Sequence, residues 1–232
     1  MDLRPIKRTY LKIRQVSILV NKKTMEYFEL INELIARNYL KTPLLIEAFK
    51  QINRADFMVG ETAGEAGINA PLPIGFGQTI SQPLTVALML ELLQPQPGDK
   101  ILDVGSGSGW TSALLAWCVG ETGKVLAVER IAELCEFGKS NILKYNFINK
   151  GIVETFCLDG SRGLPERAPF DKILVSAAAK LIPLALKEQL AVGGRLVLPV
   201  GNSIWLIEKN EEGKFSEQEF YGFSFVPLIN QQ

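Results

Sequence analysis

The chain has 232 residues and a mass of 25.7 kDa, and its 47% hydrophobic and 22% charged residues are those of a folded globular protein rather than a disordered one. Lys plus Arg equals Asp plus Glu at 25 each, so no net field draws nucleic acid or an anionic membrane to the molecule as a whole. Histidine is absent, which removes imidazole as base, nucleophile and metal ligand, and with it Ser-His-Asp hydrolases, papain-like proteases and His-ligated zinc enzymes.

Residues 1–24 hold seven Lys or Arg against the single acid Asp2, a local net of +6 that leaves −6 for residues 25–232. The apolar stretch from Val16 to Val20 is too short for a secretory core or a membrane span, and no small-residue cleavage signal follows it. A basic arm, an organelle transit segment and a translation start set too early all fit this head. The cleaner helical pattern opening at Met25 favours the last. From Met25 to Asn38, Phe28, Leu30, Ile31, Leu34 and Ile35 recur at helical spacing, and a second short amphipathic stretch follows Pro43 with Leu44, Leu45, Ile46, Phe49 and Ile52. Residues 59–80 are rich in glycine, carry Pro71 and Pro73, and read as a structured loop. Helical signals resume at Gln82, with Pro83 in the first turn, and run to a stop at Pro95–Gly98.

Beyond that stop strands and helices alternate. Strands are predicted at Ile101–Val104, Val125–Glu129, Ile152–Leu158, Lys172–Ser176, Arg195–Val200 and Ile204–Lys209, with a last one near Phe220–Val226 after a turn at Asn210–Gly213. Helices are predicted at Trp110–Val119, Ala132–Tyr145 and Pro183–Leu190. Parallel neighbours need crossovers, so the pattern implies an α/β, Rossmann-like fold: a mostly parallel sheet with an antiparallel edge strand and N-terminal helices. No repeat or linker divides residues 25–232, which read as one domain with helices and a loop in 25–98 and the sheet in 99–232. Cys118, Cys135 and Cys157 form no CxxC pair, and their odd count argues against a disulfide framework and for a reducing cytoplasm; all three are expected as buried thiols. Trp110, Trp117 and Trp205 are expected as packing residues.

The first strand of the alternating region runs into Asp103-Val-Gly105-Ser-Gly107-Ser-Gly109, and Glu129 ends the next strand twenty residues after Gly109. A glycine turn of this kind brings backbone close to a nucleoside ligand, and an acid at that distance can hold ribose hydroxyls. The dinucleotide fingerprint places its third glycine where Trp110 stands. An acid just before the loop, Asp103, repels a pyrophosphate and attracts the ammonium and sulfonium of S-adenosylmethionine. Asp159-Gly160 follows the third strand at the same carboxyl edge and suits the adenine end.

Three blocks then resemble the protein-L-isoaspartate (D-aspartate) O-methyltransferase family. The most specific is Pro71-Leu-Pro-Ile-Gly-Phe-Gly-Gln-Thr-Ile-Ser-Gln-Pro83; the second is Asp103 to Gly109. The third runs from Ala168-Pro-Phe-Asp171 through Ser176-Ala-Ala-Ala179 to Gly193-Gly-Arg-Leu-Val-Leu-Pro-Val-Gly201, and Phe225-Val-Pro-Leu228 resembles the closing strand. The resemblance implies a class I S-adenosylmethionine-dependent methyltransferase that methylates the α-carboxylate of L-isoaspartyl residues in damaged proteins or peptides. The ester cyclises to a succinimide that can reopen to aspartate. Ser81 corresponds to the family's active-site serine, and the cofactor contacts carry over to Gln78, Thr79, Ile80, Ser81, Asp103, Gly105, Gly107, Gly109, Glu129, Asp159 and Gly160. Ser81 is also expected to cap the helix it precedes. No metal, nucleic-acid or membrane partner is expected, and a monomer is favoured.

Phe76 stands where many bacterial members have histidine, Gly67-Ile-Asn69 replaces an aromatic and an acid common before the Pro-Leu-Pro segment, and Lys180 stands where proline is frequent. Two other functions fit the same pattern. One is a methyltransferase of a small carboxylic acid or a nucleic-acid base, although no Asn-Pro-Pro-Tyr-type motif supports the base. The other is a non-catalytic adaptor that binds isoaspartyl proteins.

Overall fold

The computed structural model describes residues 26–229, so the basic head lies outside the described residues. Helix α1 covers 26–36, followed by α2 (Pro43–Gln51), with proline in its first turn where a missing N–H costs no helical bond. Helix α3 (Pro83–Leu93) opens the same way and closes on Gln94, in the left-handed region at φ 52°, with Pro95 blocking continuation. The segment read as loop contains more order than its composition suggested. A 3-10 turn at Arg54–Phe57 precedes it, and it holds a second at Gly60–Glu65 and a hairpin of β1 (Leu72–Gly75) and β2 (Gln78–Ile80), joined through Gly75, Phe76 and Gly77, all at positive φ.

The alternating region forms β3 (Lys100–Val104), α4 (Trp110–Val119), β4 (Lys124–Glu129), α5 (Ala132–Leu143), β5 (Val153–Cys157) and β6 (Phe170–Val175). It ends with α6 (Leu184–Glu188), β7 (Leu190–Val200), β8 (Ser203–Lys209) and β9 (Phe215–Tyr221). The seven-stranded sheet has the order β5-β4-β3-β6-β7-β8-β9, parallel through β7, with β8 and β9 antiparallel to their neighbours. The chain therefore enters at β3, winds outward to β5, and crosses back to β6. That reversal opens a crevice at the carboxyl ends of β3 and β6.

Two strand assignments shift from expectation. The last strand is Phe215–Tyr221, not 220–226, because it pairs with β8 from Lys209↔Phe215 to Ser203↔Tyr221 and sits at the sheet edge, where Ser216 to Glu219 can remain polar. The apolar Phe220, Phe223 and Phe225 that suggested the later strand pack against the core as partly buried residues. Strand β7 starts at Leu190, taking the end of the predicted helix, and α6 is correspondingly short.

Alternate side chains divide between two cores. On the face covered by α1 to α4, Ile101, Val125, Ala127 and Leu174 pack with Leu90, Trp110 and Leu114; on the other, Leu102, Val104, Leu126, Ile173 and Leu196 pack with Leu186. This alternation decides where Asp103 points. It shares the face of Ile101, beneath α4. Helix α4 is buried nearly all round, with only Trp117 half-exposed, because it lies between the sheet, α2 and α5.

Candidate functional site

The glycine loop leaves β3 with Gly105, Gly107 and Gly109 at φ values of 78°, 52° and 88°, a left-handed path that side chains other than glycine enter only under strain. The N–H groups of Gly105 and Ser106 donate to the Val128 carbonyl at 2.8 and 3.1 Å, tying the loop to the end of β4. At that end sits Glu129, buried, with one carboxylate oxygen accepting from the Gly107 N–H at 2.9 Å and the other from the Ile131 N–H at 2.9 Å. Two backbone donors on separate oxygens fix the carboxylate plane and leave further lone pairs for a ligand's hydroxyls.

Asp103 lies below the loop, fully buried, and one of its oxygens accepts from Ser112 Oγ at 2.6 Å and Thr111 Oγ1 at 3.0 Å. Its second oxygen, Oδ1, is buried with no partner among the described residues. Burial pushes its carboxyl up to about 6 against the hydroxyl donors, and the nearby Glu129 charge adds to the rise. Asp159 ends the run after β5, where its Oδ1 accepts from the Ser161 N–H at 2.9 Å and caps the short turn Gly160–Arg162. A Cβ on Gly160 would stand 2.9 Å from Val104 and Val128 methyl carbons, so glycine lets this turn close against the sheet.

These pieces enclose one crevice, lined by Gln78, Gly105, Gly107, Glu129, Asp159 and Gly160 of the expected residues. Ile131, Ser176 and Ala177 add to its walls, and Val226–Ile229 crosses as a strap. Asp103, Gly109, Thr79, Ile80 and Ser81 are outside its lining. Asp103 faces α4, Gly109 is the N-cap residue of α4 and lies close to Gly138, Thr79 is exposed on the hairpin, and Ile80 is buried in the core. Ser81 is half-buried between the hairpin and α3. Its expected capping role is corrected: the N-cap of α3 is Gln82, and no side chain of that residue caps the helix.

The strap was missed as a site element because its apolar residues read as a strand. Instead Ala178 N–H donates to Val226 O at 2.8 Å and Leu228 N–H to Ala178 O at 2.7 Å, so one extended residue pair holds it over the end of β6. Two further readings are corrected by burial. Cys157 is exposed, since it is the last residue of β5, where the strand leaves the sheet, and Trp117 is half-exposed. Among the described residues no group of three or more His, Cys, Asp or Glu is placed to hold a metal ion.

The model of the protein-L-isoaspartate(D-aspartate) O-methyltransferase family matches residues 25–232. A protein-L-isoaspartate O-methyltransferase of Methanopyrus kandleri is 41% identical over 207 residues, covering 88% of this chain and 91% of the relative. One of Aeropyrum pernix is 45% identical over 206 residues, covering 87% of this chain and 78% of the relative. The fold is shared with a crystal structure from Plasmodium falciparum, assigned to the protein-L-isoaspartate O-methyltransferases and solved with S-adenosyl-L-homocysteine. The TM-score is 0.79 at 24% identity, over 88% of this chain and 98% of that one. Because the family match takes in the hairpin, the glycine loop and the strap together, and the relatives are more than 40% identical over 87–88% of its length, the chain belongs to the protein-L-isoaspartate(D-aspartate) O-methyltransferase family.

Proposed function

We propose that the chain repairs damaged proteins by moving a methyl group from S-adenosylmethionine to the α-carboxylate of L-isoaspartyl residues, with the crevice holding the donor and Ser81 orienting the acceptor. The observation that carries this reading is Glu129, buried and pinned on both oxygens by backbone N–H groups at the lip of the glycine loop. In this assignment Glu129 takes the ribose hydroxyls, Asp159 and Gly160 the adenine end, and Gly105, Gly107 and Gln78 the amino-acid end. The donor set fits: the lining carries the carboxylates of Glu129 and Asp159 against the single cation Arg130, and with the buried Asp103 beneath it this balance favours a ligand of net positive charge and opposes a pyrophosphate. Since Asp103 faces Ser112 and Thr111, its proposed part is to hold the loop from below and supply charge, without direct contact.

S-adenosylmethionine brings a methyl group already activated on a sulfonium. The acceptor carboxylate, with an ordinary pKa of roughly 4, is already ionised at neutral pH, so the site needs no general base and the absence of histidine costs it nothing. What remains for the chain is orientation and exclusion of water. The Ser81 hydroxyl makes no hydrogen bond among the described residues and so has its proton available to donate to the acceptor carboxylate. The strap and the hairpin both line the crevice, the first through Val226–Ile229 and the second through Gln78.

Cytosolic residence as a monomer, without nucleic-acid partners, belongs to the same proposal. The three free cysteines and the acidic balance of residues 25–232 support the first and last, and sedimentation tests the monomer. Among the described residues no helix is long and apolar enough to cross a membrane. The decisive experiment is transfer of isotope-labelled methyl to an isoaspartyl peptide and its aspartyl twin. Turnover of the first alone is expected; equal turnover overturns the specificity, and binding without turnover favours an adaptor. A Ser81→Ala variant is expected to lose turnover while still binding S-adenosylhomocysteine, as read by calorimetry.

A further inference from the structure

We infer that Arg54 is the positioning residue that fixes the substrate-facing segment 66–81, and through it Ser81, for the transfer proposed above; the inference rests on that assignment of Ser81. Arg54 opens the 3-10 turn Arg54–Phe57 and is fully buried. Its Nη1 donates to the carbonyls of Ala66 at 3.3 Å and Ile68 at 2.9 Å. Its Nη2 donates to the carbonyls of Ala70 at 2.8 Å and Ser81 at 3.0 Å. The guanidinium carbon lies 5.5 Å from the ring centroid of Trp110, the first residue of α4 after the glycine loop. One side chain thus joins the approach to the hairpin, the residue leaving it and the helix that carries the donor-binding loop.

Arg54 makes no ion pair with an acid among the described residues, and burial lowers its pKa to about 10, which still leaves it charged at neutral pH. Burying a cation costs several kcal/mol, and a hydrophobic side chain of similar size would fill the volume more cheaply. What the hydrophobe cannot do is gather four carbonyls from segments that have no ladder partners there. The planar fork of arginine presents donors on two separate nitrogens, whereas lysine offers a single ammonium that cannot span both pairs. The choice of an uncompensated buried arginine therefore points to geometry rather than to filling.

A second fastening makes this role separable from folding. Asn69 Oδ1 accepts from the Leu84 N–H at 3.1 Å, and Gln82 Nε2 donates to the Asn69 carbonyl at 3.0 Å. These bonds hold the same segment to the start of α3 without Arg54, while among the described residues only Arg54 grips the Ser81 carbonyl itself.

In Arg54→Ala, kcat with an isoaspartyl peptide is expected to fall about 100-fold, the scale of a displacement near 1 Å in a positioned group. Affinity for S-adenosylhomocysteine is expected to stay close to that of the parent chain. Millimolar guanidinium chloride should restore part of the turnover, and equal concentrations of urea or sodium chloride should not. Unchanged kcat overturns the inference, as does a parallel loss of turnover and S-adenosylhomocysteine affinity with no guanidinium response. If circular dichroism shows Arg54→Ala unfolded, Arg54→Lys decides: reduced kcat at retained affinity supports the role, and parallel loss or no loss overturns it. Methylation of the isoaspartyl peptide by the parent chain reports on the underlying function separately.

Discussion

Asp103 illustrates how a residue can be identified correctly as an acid beside a glycine loop while its direction stays hidden. The spacing Asp-x-Gly-x-Gly-x-Gly is visible in the sequence, but its facing depends on strand alternation, which places it under α4 with Ile101 and gives its carboxylate to Ser112 and Thr111. The consequence is a pH signature. The folded-state pKa of about 6 lies above the ordinary 3.8, so the native state binds this proton more tightly than the unfolded chain does. Stability from the protonated carboxyl is fully present below about 4 and is lost as pH rises through about 6, an effect on the order of 3 kcal/mol. Asp103→Asn cannot lose it. Urea unfolding of both proteins across this range is expected to show the variant gaining on the parent as pH rises, then a constant difference above about 7; a flat difference throughout would contradict the burial argument.

Among elements, the alternating strands and helices were legible because buried parallel strands and their crossovers write themselves as apolar runs of fixed length. The strap and the edge strand were not, since an edge strand with a polar face resembles a loop and an apolar coil segment resembles a strand. Helix α5 carries a different kind of signal in Gly138, a residue that weakens a helix interior by about 1 kcal/mol relative to alanine. The structure gives its reason: a Cβ there would lie 2.6 Å from the Gly107 carbonyl and 3.3 Å from the Gly109 nitrogen. The helix is thereby allowed to rest on the glycine loop, where Asn141 Nδ2 also donates to the Ser108 carbonyl at 3.0 Å. Gly138→Ala is accordingly expected to lower stability by about 1–3 kcal/mol despite its better helix propensity, the usual cost of overpacking. It should also weaken S-adenosylhomocysteine binding in calorimetry. A more stable variant with unchanged affinity would show that the loop yields without cost.

At the scale of the molecule, the zero net charge divides between a head of +6 over residues 1–24 and a body of −6. The topology brings Glu129 and Asp159 to the crevice, against the single cation Arg130, and Asp103 beneath it, so the crevice proposed to hold the donor carries a net negative charge. That arrangement suits a cationic donor and penalises an acidic peptide, because unlike short-range contacts such repulsion acts over the Debye length of about 10 Å at 0.1 M salt. The family match begins at residue 25, and among the described residues the core begins at Tyr27, so a chain starting at Met25 is expected to keep the melting temperature of the full one. It should differ in selectivity. Deleting the head removes the compensating positive charge, and kcat/KM at low salt should then fall for isoaspartyl peptides with acidic flanks relative to those with basic flanks. Raising the salt should bring that ratio back toward one in both proteins, most in the shortened one, since screening removes long-range terms and leaves short-range contacts with the peptide unchanged. A ratio indifferent to both salt and the head would place substrate choice in those contacts alone, with the field of the body contributing nothing to it.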